Sequence, residues 1–116
     1  MAPGLIDIHN HGANGYFARE GVDAMGAVSR WLATAGTTSW LSNIGDLEGI
    51  AGAVEAIGQG RKEGEAAVEG IHVEGPFLYP KYLPGESTAP PAPAQLSTYH
   101  EFLEACQGHL VMMDCS

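Results

Sequence analysis

Short stretches with the pattern of β-strands alternate along this sequence with longer stretches that have the pattern of amphipathic helices. Apolar and β-branched residues predict four strands, at 5–11, 37–41, 68–74 and 110–113. Apolar residues at helical spacing predict three helices between them, at 22–35, 47–57 and 96–106. The order βαβαβαβ favours parallel strands joined by right-handed helical crossovers, and therefore an α/β fold.

Cap and breaker residues support these boundaries. Asp46 is placed to cap the second helix at its N-terminus, and Gly36 and Gly108 follow the first and third helices where a C-terminal glycine belongs. The second helix also contains glycine at 49, 52 and 58, each of which weakens it by roughly 1 kcal/mol relative to alanine. Packing against a sheet must compensate for that cost. Residues 12–15 are predicted to form a loop.

The number of strands leaves two architectures open. Four parallel strands form either an open sheet or half of an eight-stranded barrel. A complete (β/α)8 barrel takes about 250 residues, whereas this sequence has 116. As a barrel, residues 1–116 would be one partial domain with the first four strands and three helices.

Charge and cysteine usage exclude several classes of protein. The sequence has 14 acidic against 5 basic residues, a net charge of −9, and only Arg61 and Lys62 place two basic residues side by side. We therefore expect neither a nucleic-acid partner nor a membrane partner. Two cysteines form neither a disulfide framework nor a zinc-type spacing. Without a signal-peptide pattern or a long apolar run, the sequence predicts a cytoplasmic protein.

Chemistry-bearing side chains lie at the ends of the first and third predicted strands. His9 and His11 are two residues apart on an extended segment, so their side chains leave the same face. Asp7 shares that face and either orients the histidines or caps a turn. Glu74 ends the third strand just before Gly75, and a buried carboxylate needs a cation, hydrogen bonds or a metal ion. The two strand ends meet at one sheet edge, which favours a metal site over two solvated histidines.

Three motifs resemble those of a known enzyme family or of its superfamily. The stretch Pro-Gly-Leu-Ile-Asp-Ile-His-Asn-His-Gly at 3–12 is similar to the first-strand motif of the amidohydrolase superfamily. Gly-Ile-His-Val-Glu-Gly-Pro-Phe at 70–77 resembles the third-strand motif of N-acetylglucosamine-6-phosphate deacetylases, and Gly-Thr-Thr-Ser at 36–39 matches their second strand. The resemblance implies a βαβαβαβ portion, about half, of a TIM-like (β/α)8 metal-dependent hydrolase barrel. The second half and a flanking small β-domain are then absent.

The resemblance also implies site residues and a reaction. Glu74 corresponds to a metal ligand, and His9 and His11 correspond to the ligand pair of members that hold a second metal. One or two divalent ions, zinc in preference to iron, would support hydrolysis of a linear amide, the deacetylation of N-acetylglucosamine-6-phosphate in amino-sugar catabolism. The full-length enzyme would be a homodimer. The family's acid/base Asp lies beyond Ser116, so this chain would contain no catalytic residue and be inactive alone.

The proline-rich stretch 78–94 departs from the family pattern. Family members continue into a Lys-Gly-Ala-His-like segment that contacts the amino sugar, whereas residues 81–88 here read Lys-Tyr-Leu-Pro-Gly-Glu-Ser-Thr. Gly85, Glu86 and Ser87 are therefore the candidate substrate contacts. A loop of this length at a site edge is either a substrate loop or a linker. A related acylated amino sugar is an alternative substrate.

Two other interpretations stay open. The chain is either a non-catalytic, truncated α/β fragment or, if the motif at 70–77 is accidental, an amidohydrolase acting on a cyclic amide. Among the remaining histidines, His72 is expected to be a hydrogen-bonded core residue rather than a group that orients a ligand. His100 and His109 are expected at the surface.

Overall fold

The computed structural model of the chain describes residues 3–78 and 93–115. In chain order its elements are β1 (Leu5–Asn10), β2 (Gly12–Ala13), β3 (Tyr16–Phe17), a 3-10 turn (Ala18–Glu20), α1 (Val22–Thr34), β4 (Thr37–Ile44), α2 (Leu47–Gln59), β5 (Ala67–Glu74), α3 (Leu96–Ala105) and β6 (Leu110–Asp114). Strands β1, β4, β5 and β6 pair in that order, all parallel. The predicted α/β class and βαβαβαβ order of the main elements are confirmed.

The apolar core lies between the sheet and the helices. Strand order follows chain order, and right-handed crossovers then place the connecting helices on the same face of the sheet. Trp40 and Ile71 from the strands are fully buried, as are Val28 of α1 and Ile50 of α2. By strand alternation, the side chains of His72 and Glu74 point to the opposite face from that of Ile71. The sheet therefore buries one face for stability and presents polar groups on the other.

Two of the three glycines of α2, Gly49 and Gly52, have a packing role that offsets their cost to the helix. A Cβ atom at Gly49 would lie 2.7 Å from Ile44 Cγ2, and one at Gly52 would lie 3.0 Å from Gly21 Cα. The predicted cap of this helix is confirmed, because Asp46 Oδ1 accepts a hydrogen bond from the Gly49 backbone N–H at 2.7 Å. Helix α2 can thus approach both β4 and the start of α1 closely.

A short hairpin corrects the prediction of a loop at 12–15. Strands β2 and β3 pair antiparallel, and the two residues between them, Asn14 and Gly15, have φ of 53° and 84°. Positive φ at both central residues is what a type I′ hairpin turn requires, and Asn-Gly is its preferred sequence. Two-residue strands show no periodicity, which is why the pattern of apolar residues does not reveal them.

The outer strands carry exposed apolar side chains. In β1, Leu5, Ile6 and Ile8 are 64%, 70% and 54% exposed, and in β6 Val111 is 56% exposed. Within the described residues, β1 and β6 each pair with a strand on one side only.

Among the residues that the structure describes, no helix is both long and apolar enough to cross a membrane.

Candidate metal centre

Three strands end at the same edge of the sheet and bring the chemistry-bearing residues together. His9 lies near the end of β1, His11 follows that strand directly, and Glu74 is the last residue of β5. Strand β4 lies between β1 and β5, with Asn43 beside His72 in register. Because the strands are parallel, their carboxyl ends meet there, as the sequence predicts.

His9, His11 and Glu74 each point one ligand atom into a common space, with these atoms all within 4.8 Å of one another. His11 Nε2 lies 3.1 Å from Glu74 Oε2, and the rings of His9 and His11 are edge to face with centroids 5.2 Å apart. The Glu74 side chain is 19% exposed and that of His11 55% exposed. Two imidazoles and a carboxylate with solvent access are a donor set that zinc takes in catalytic sites, so these residues fit a divalent ion.

Asn43 supports His9 from the neighbouring strand. Its amide Nδ2 lies 2.8 Å from His9 Nε2, and the residue is only 2% exposed. An amide nitrogen can only donate, so His9 Nε2 accepts this hydrogen bond, and the contact fixes the orientation of the His9 ring. The sequence prediction ended the second strand at residue 41 and therefore missed Asn43. The polar residues that follow the apolar run, at 42 and 43, were the available signal.

Asp7 caps the end of β1. Its Oδ1 accepts a hydrogen bond from the His9 backbone N–H at 3.1 Å, and its Oδ2 accepts one from Asn10 Nδ2 at 2.7 Å. Both contacts are local, to the backbone of His9 and to the side chain of Asn10. The carboxylate fixes the backbone that carries the histidine pair.

The other predicted residues fall in different surroundings. His72 is 2% exposed and makes a hydrogen bond through Nδ1 to the Ile8 carbonyl at 3.0 Å, as expected for a core histidine. His100 is exposed, whereas His109 is half-buried. Both cysteines are free, and burial raises the pKa of the Cys106 thiol. Gly85, Glu86 and Ser87 lie outside the described residues.

A cleft opens beside His11. Its volume is about 470 Å³, and its lining includes Phe17, Arg19 and Asn43. The Arg19 guanidinium lies 5.8 Å from the centroid of the Phe17 ring, a cation–π contact. A second cavity of about 220 Å³, between α1, α2 and the start of β5, contains none of the three clustered residues. The cleft beside His11 is thus the cavity next to the three clustered side chains, and it has a size that suits a small molecule.

Comparison with known proteins supports the fold. No protein-family model matches the chain, and a sequence search of curated proteins finds no match. The structure is similar to the crystal structure of N-acetyl-D-glucosamine-6-phosphate deacetylase from Mycobacterium smegmatis, with a TM-score of 0.78 and 21% identity over 98% of this chain. The chain has the fold of about a third of that enzyme, since the match covers 33% of its length.

A second solved structure gives the same result. It is an Asp-to-Ala mutant of the M. smegmatis deacetylase in complex with N-acetyl-D-glucosamine-6-phosphate, and it matches with a TM-score of 0.78 and 20% identity. The match again covers 98% of this chain and 30% of the other. The predicted fold class, a βαβαβαβ portion of a TIM-like barrel, is confirmed by these two likenesses together with the parallel sheet.

Proposed function

We propose that the chain is a partial catalytic barrel, over residues 1–116, of an enzyme of the N-acetylglucosamine-6-phosphate deacetylase family. The observation that carries this proposal is the convergence of His9, His11 and Glu74 at the carboxyl edge of a sheet that has the fold of part of such an enzyme. The proposed reaction is hydrolysis of the linear acetamide of N-acetylglucosamine-6-phosphate. The proposed location is the cytoplasm, and the proposed full-length enzyme is a homodimer.

His9, His11 and Glu74 are the proposed ligands of one or two divalent ions, zinc in preference to iron. When bound, such an ion supplies Lewis-acid activation of the amide carbonyl and of the attacking water. The carboxylate of Glu74 offsets part of the positive charge, and its 3.1 Å contact with His11 Nε2 keeps the two donors close enough to share one ion. Asn43 and Asp7 hold His9 and its backbone in place.

Arg19 supplies a local positive charge that supports binding of an anionic substrate, although the chain as a whole is acidic. Its guanidinium borders the cleft beside His11, where it can pair with a phosphate group close to the proposed metal. A local cation decides such binding more than the net charge of −9, because charges beyond about 10 Å are largely screened at physiological salt. Gly85, Glu86 and Ser87 remain the proposed sugar contacts.

The chain alone is expected to be inactive. The acid/base Asp that the family resemblance implies is not among residues 1–116. Binding a metal ion and hydrolysing an amide are therefore separable properties, and the second needs the complementary part of a barrel.

A chimera tests the proposal. The structurally equivalent third of the M. smegmatis deacetylase is replaced by this chain, and acetate release from N-acetylglucosamine-6-phosphate is measured. We expect activity in the chimera and a loss on the order of 100-fold in its Glu74→Gln variant, since a metal ligand is removed. Asp23→Asn, in the first turn of α1, is the matched control and should leave the rate unchanged.

Two results would contradict the proposal. One is a folded chimera that binds zinc but releases no acetate, and the other is a Glu74→Gln chimera as active as the Asp23→Asn control. Testing the chimera on other acylated amino sugars and on a cyclic amide separates the alternative substrates.

A further inference from the structure

A second group of donors lies beside the first, on the same edge of the sheet. His72 Nε2 is 3.0 Å from Asp114 Oδ2, and one donor each of His9, His72 and Asp114 lie within 4.8 Å of one another. His9 and His72 are edge to face with ring centroids 4.9 Å apart. Asp114 stands beside Glu74 in the register of β5 and β6. Donors from β1, β5 and β6 therefore meet at this point.

The hydrogen bonding of His72 fixes which of its nitrogens is available. Nδ1 lies 3.0 Å from the Ile8 carbonyl oxygen, and a carbonyl oxygen only accepts, so Nδ1 carries a proton. In the neutral ring, Nε2 then presents its lone pair. An imidazole that donates one N–H to a backbone carbonyl and presents the other nitrogen is the usual arrangement of a metal-ligating histidine.

Nε2 of His72 is not satisfied by its neighbour. It is buried and has no hydrogen-bond partner among the described residues, although Asp114 Oδ2 is close. The two atoms are near enough for an ion pair, yet their directions do not meet hydrogen-bond geometry. A nitrogen lone pair and a carboxylate oxygen thus face the same small space. A buried polar atom left this way is destabilising, and a shared cation would offset that cost.

We propose that His72 and Asp114, together with His9, form a second cation position for zinc or a similar transition-metal ion. This position goes beyond the proposed function, because it rests on two residues outside the proposed ligand set His9, His11 and Glu74. One imidazole nitrogen binds one ion, so His9 serves one position at a time when both are filled. His72 and Asp114 are the ligands that define the new position.

Metal stoichiometry of the full 116-residue chain tests this position. Bound Zn²⁺ is measured by equilibrium dialysis, and Co²⁺ binding is followed by its visible absorption. We expect about two ions in the wild-type chain and about one in both Asp114→Asn and Glu74→Gln. The control Asp23→Asn should match the wild type. Asp114→Asn keeps the size of a side chain that is 38% exposed, so little effect on folding is expected.

The two variants separate this inference from the proposed function. A chain that binds one ion, lost in Glu74→Gln and kept in Asp114→Asn, overturns the second position alone. One ion lost in Asp114→Asn and kept in Glu74→Gln supports the second position and overturns the proposed ligand Glu74. Absence of metal binding in the wild type overturns both.

Imidazole ¹⁵N NMR of the wild-type chain provides a measurement that needs no variant. Adding Zn²⁺ should shift the His72 Nε2 resonance while Nδ1 keeps its proton. If both ring nitrogens are protonated and unchanged by zinc, His72 and Asp114 form a plain ion pair and the proposal is wrong.

Discussion

The two ends of the sheet differ in how completely their buried polar groups are hydrogen-bonded. Towards the amino ends of the strands, Arg30 Nη1 lies 2.7 Å from Glu65 Oε1, and Glu65 Oε2 accepts the Lys62 backbone N–H at 3.1 Å. Trp40 Nε1 donates to Ser29 Oγ at 3.0 Å inside the core. At the carboxyl ends, buried side-chain atoms have no hydrogen-bond partner among the described residues: Asn10 Oδ1, Asn43 Oδ1 and His72 Nε2.

This difference indicates a division of roles between the amino and carboxyl ends of the sheet. Paired groups hold the structure together, because a buried donor or acceptor with a good partner incurs no desolvation penalty. Buried donors or acceptors without a hydrogen-bond partner destabilise the folded state. They are expected at sites where a bound ligand supplies the missing partner. The amino end thus stabilises the chain, and the carboxyl end is where we propose that a ligand binds. Four experiments can break or sharpen this division.

Removing metal should have the largest effect on stability, and it should act through the carboxyl end. At zinc concentrations about 100 times the dissociation constant, we expect the free energy of unfolding to rise by about 2.7 kcal/mol, and EDTA to abolish the gain. Glu74→Gln should reduce this gain, whereas Glu65→Ala should keep it in full. Urea unfolding with and without zinc measures this gain in the free energy of unfolding. An equal gain in Glu74→Gln and in the wild type would refute the division.

Breaking the pairing at the amino end should have the next largest effect, without zinc. Glu65→Ala removes the partner of Arg30 and of the Lys62 N–H, and Glu65 is only 7% exposed. We expect the free energy of unfolding to fall by about 2 kcal/mol, a value reduced because Arg30 is half exposed. Glu63→Ala, at an exposed position nearby, is the control. Equal stability of the two variants in urea would show that the pair contributes nothing.

The smallest expected effect is a difference in reactivity between the two cysteines, which lie on either side of β6. Cys106 is buried before this strand begins, and Cys115 is exposed after it ends. At pH 8 we expect iodoacetamide to modify Cys115 and to spare Cys106 until the chain unfolds, with peptide mass spectrometry as the measurement. Modification of both at equal rates would mean that the core near α3 opens readily.

Alkaline pH should slightly lower the free energy of unfolding, because the Cys106 thiol is buried. Burial raises the pKa of the Cys106 thiol, so the folded state holds that proton at a pH where the unfolded chain has already lost it. Stability is then fully present below the ordinary thiol pKa and falls as the pH rises through the raised value. A Cys106→Ala variant should lack this part of the pH dependence.

Sequence patterns predict the main elements because local periodicity and caps determine them. The first strand is predicted at 5–11 and observed at Leu5–Asn10, and the cap Asp46 is where the sequence places it. The grouping of His9, His11 and Glu74 follows from strand parity and from the parallel order of the sheet. Their role as metal ligands stays a prediction.

Other features depend on information that local patterns lack. The contact of His72 with Asp114 requires the register between β5 and β6, and the fourth strand was predicted to end at residue 113. Asn43 faces His9 only because β4 runs on to Ile44. The hairpin at 12–17 is too short for periodicity, although Asn14 and Gly15 are a strong turn signal. Register and strand length are tertiary properties, settled by packing.

The order of the parallel strands has a consequence for synthesis on the ribosome. Each strand of the sheet, β1, β4, β5 and β6, pairs with the one made before it, so no segment has to wait for a distant partner. We expect nascent chains to dock one βα unit at a time, beginning at β1, since folding proceeds from the N-terminus during translation. Of these four strands, β6 then docks after the others, and its unpaired side is where a further strand would be added.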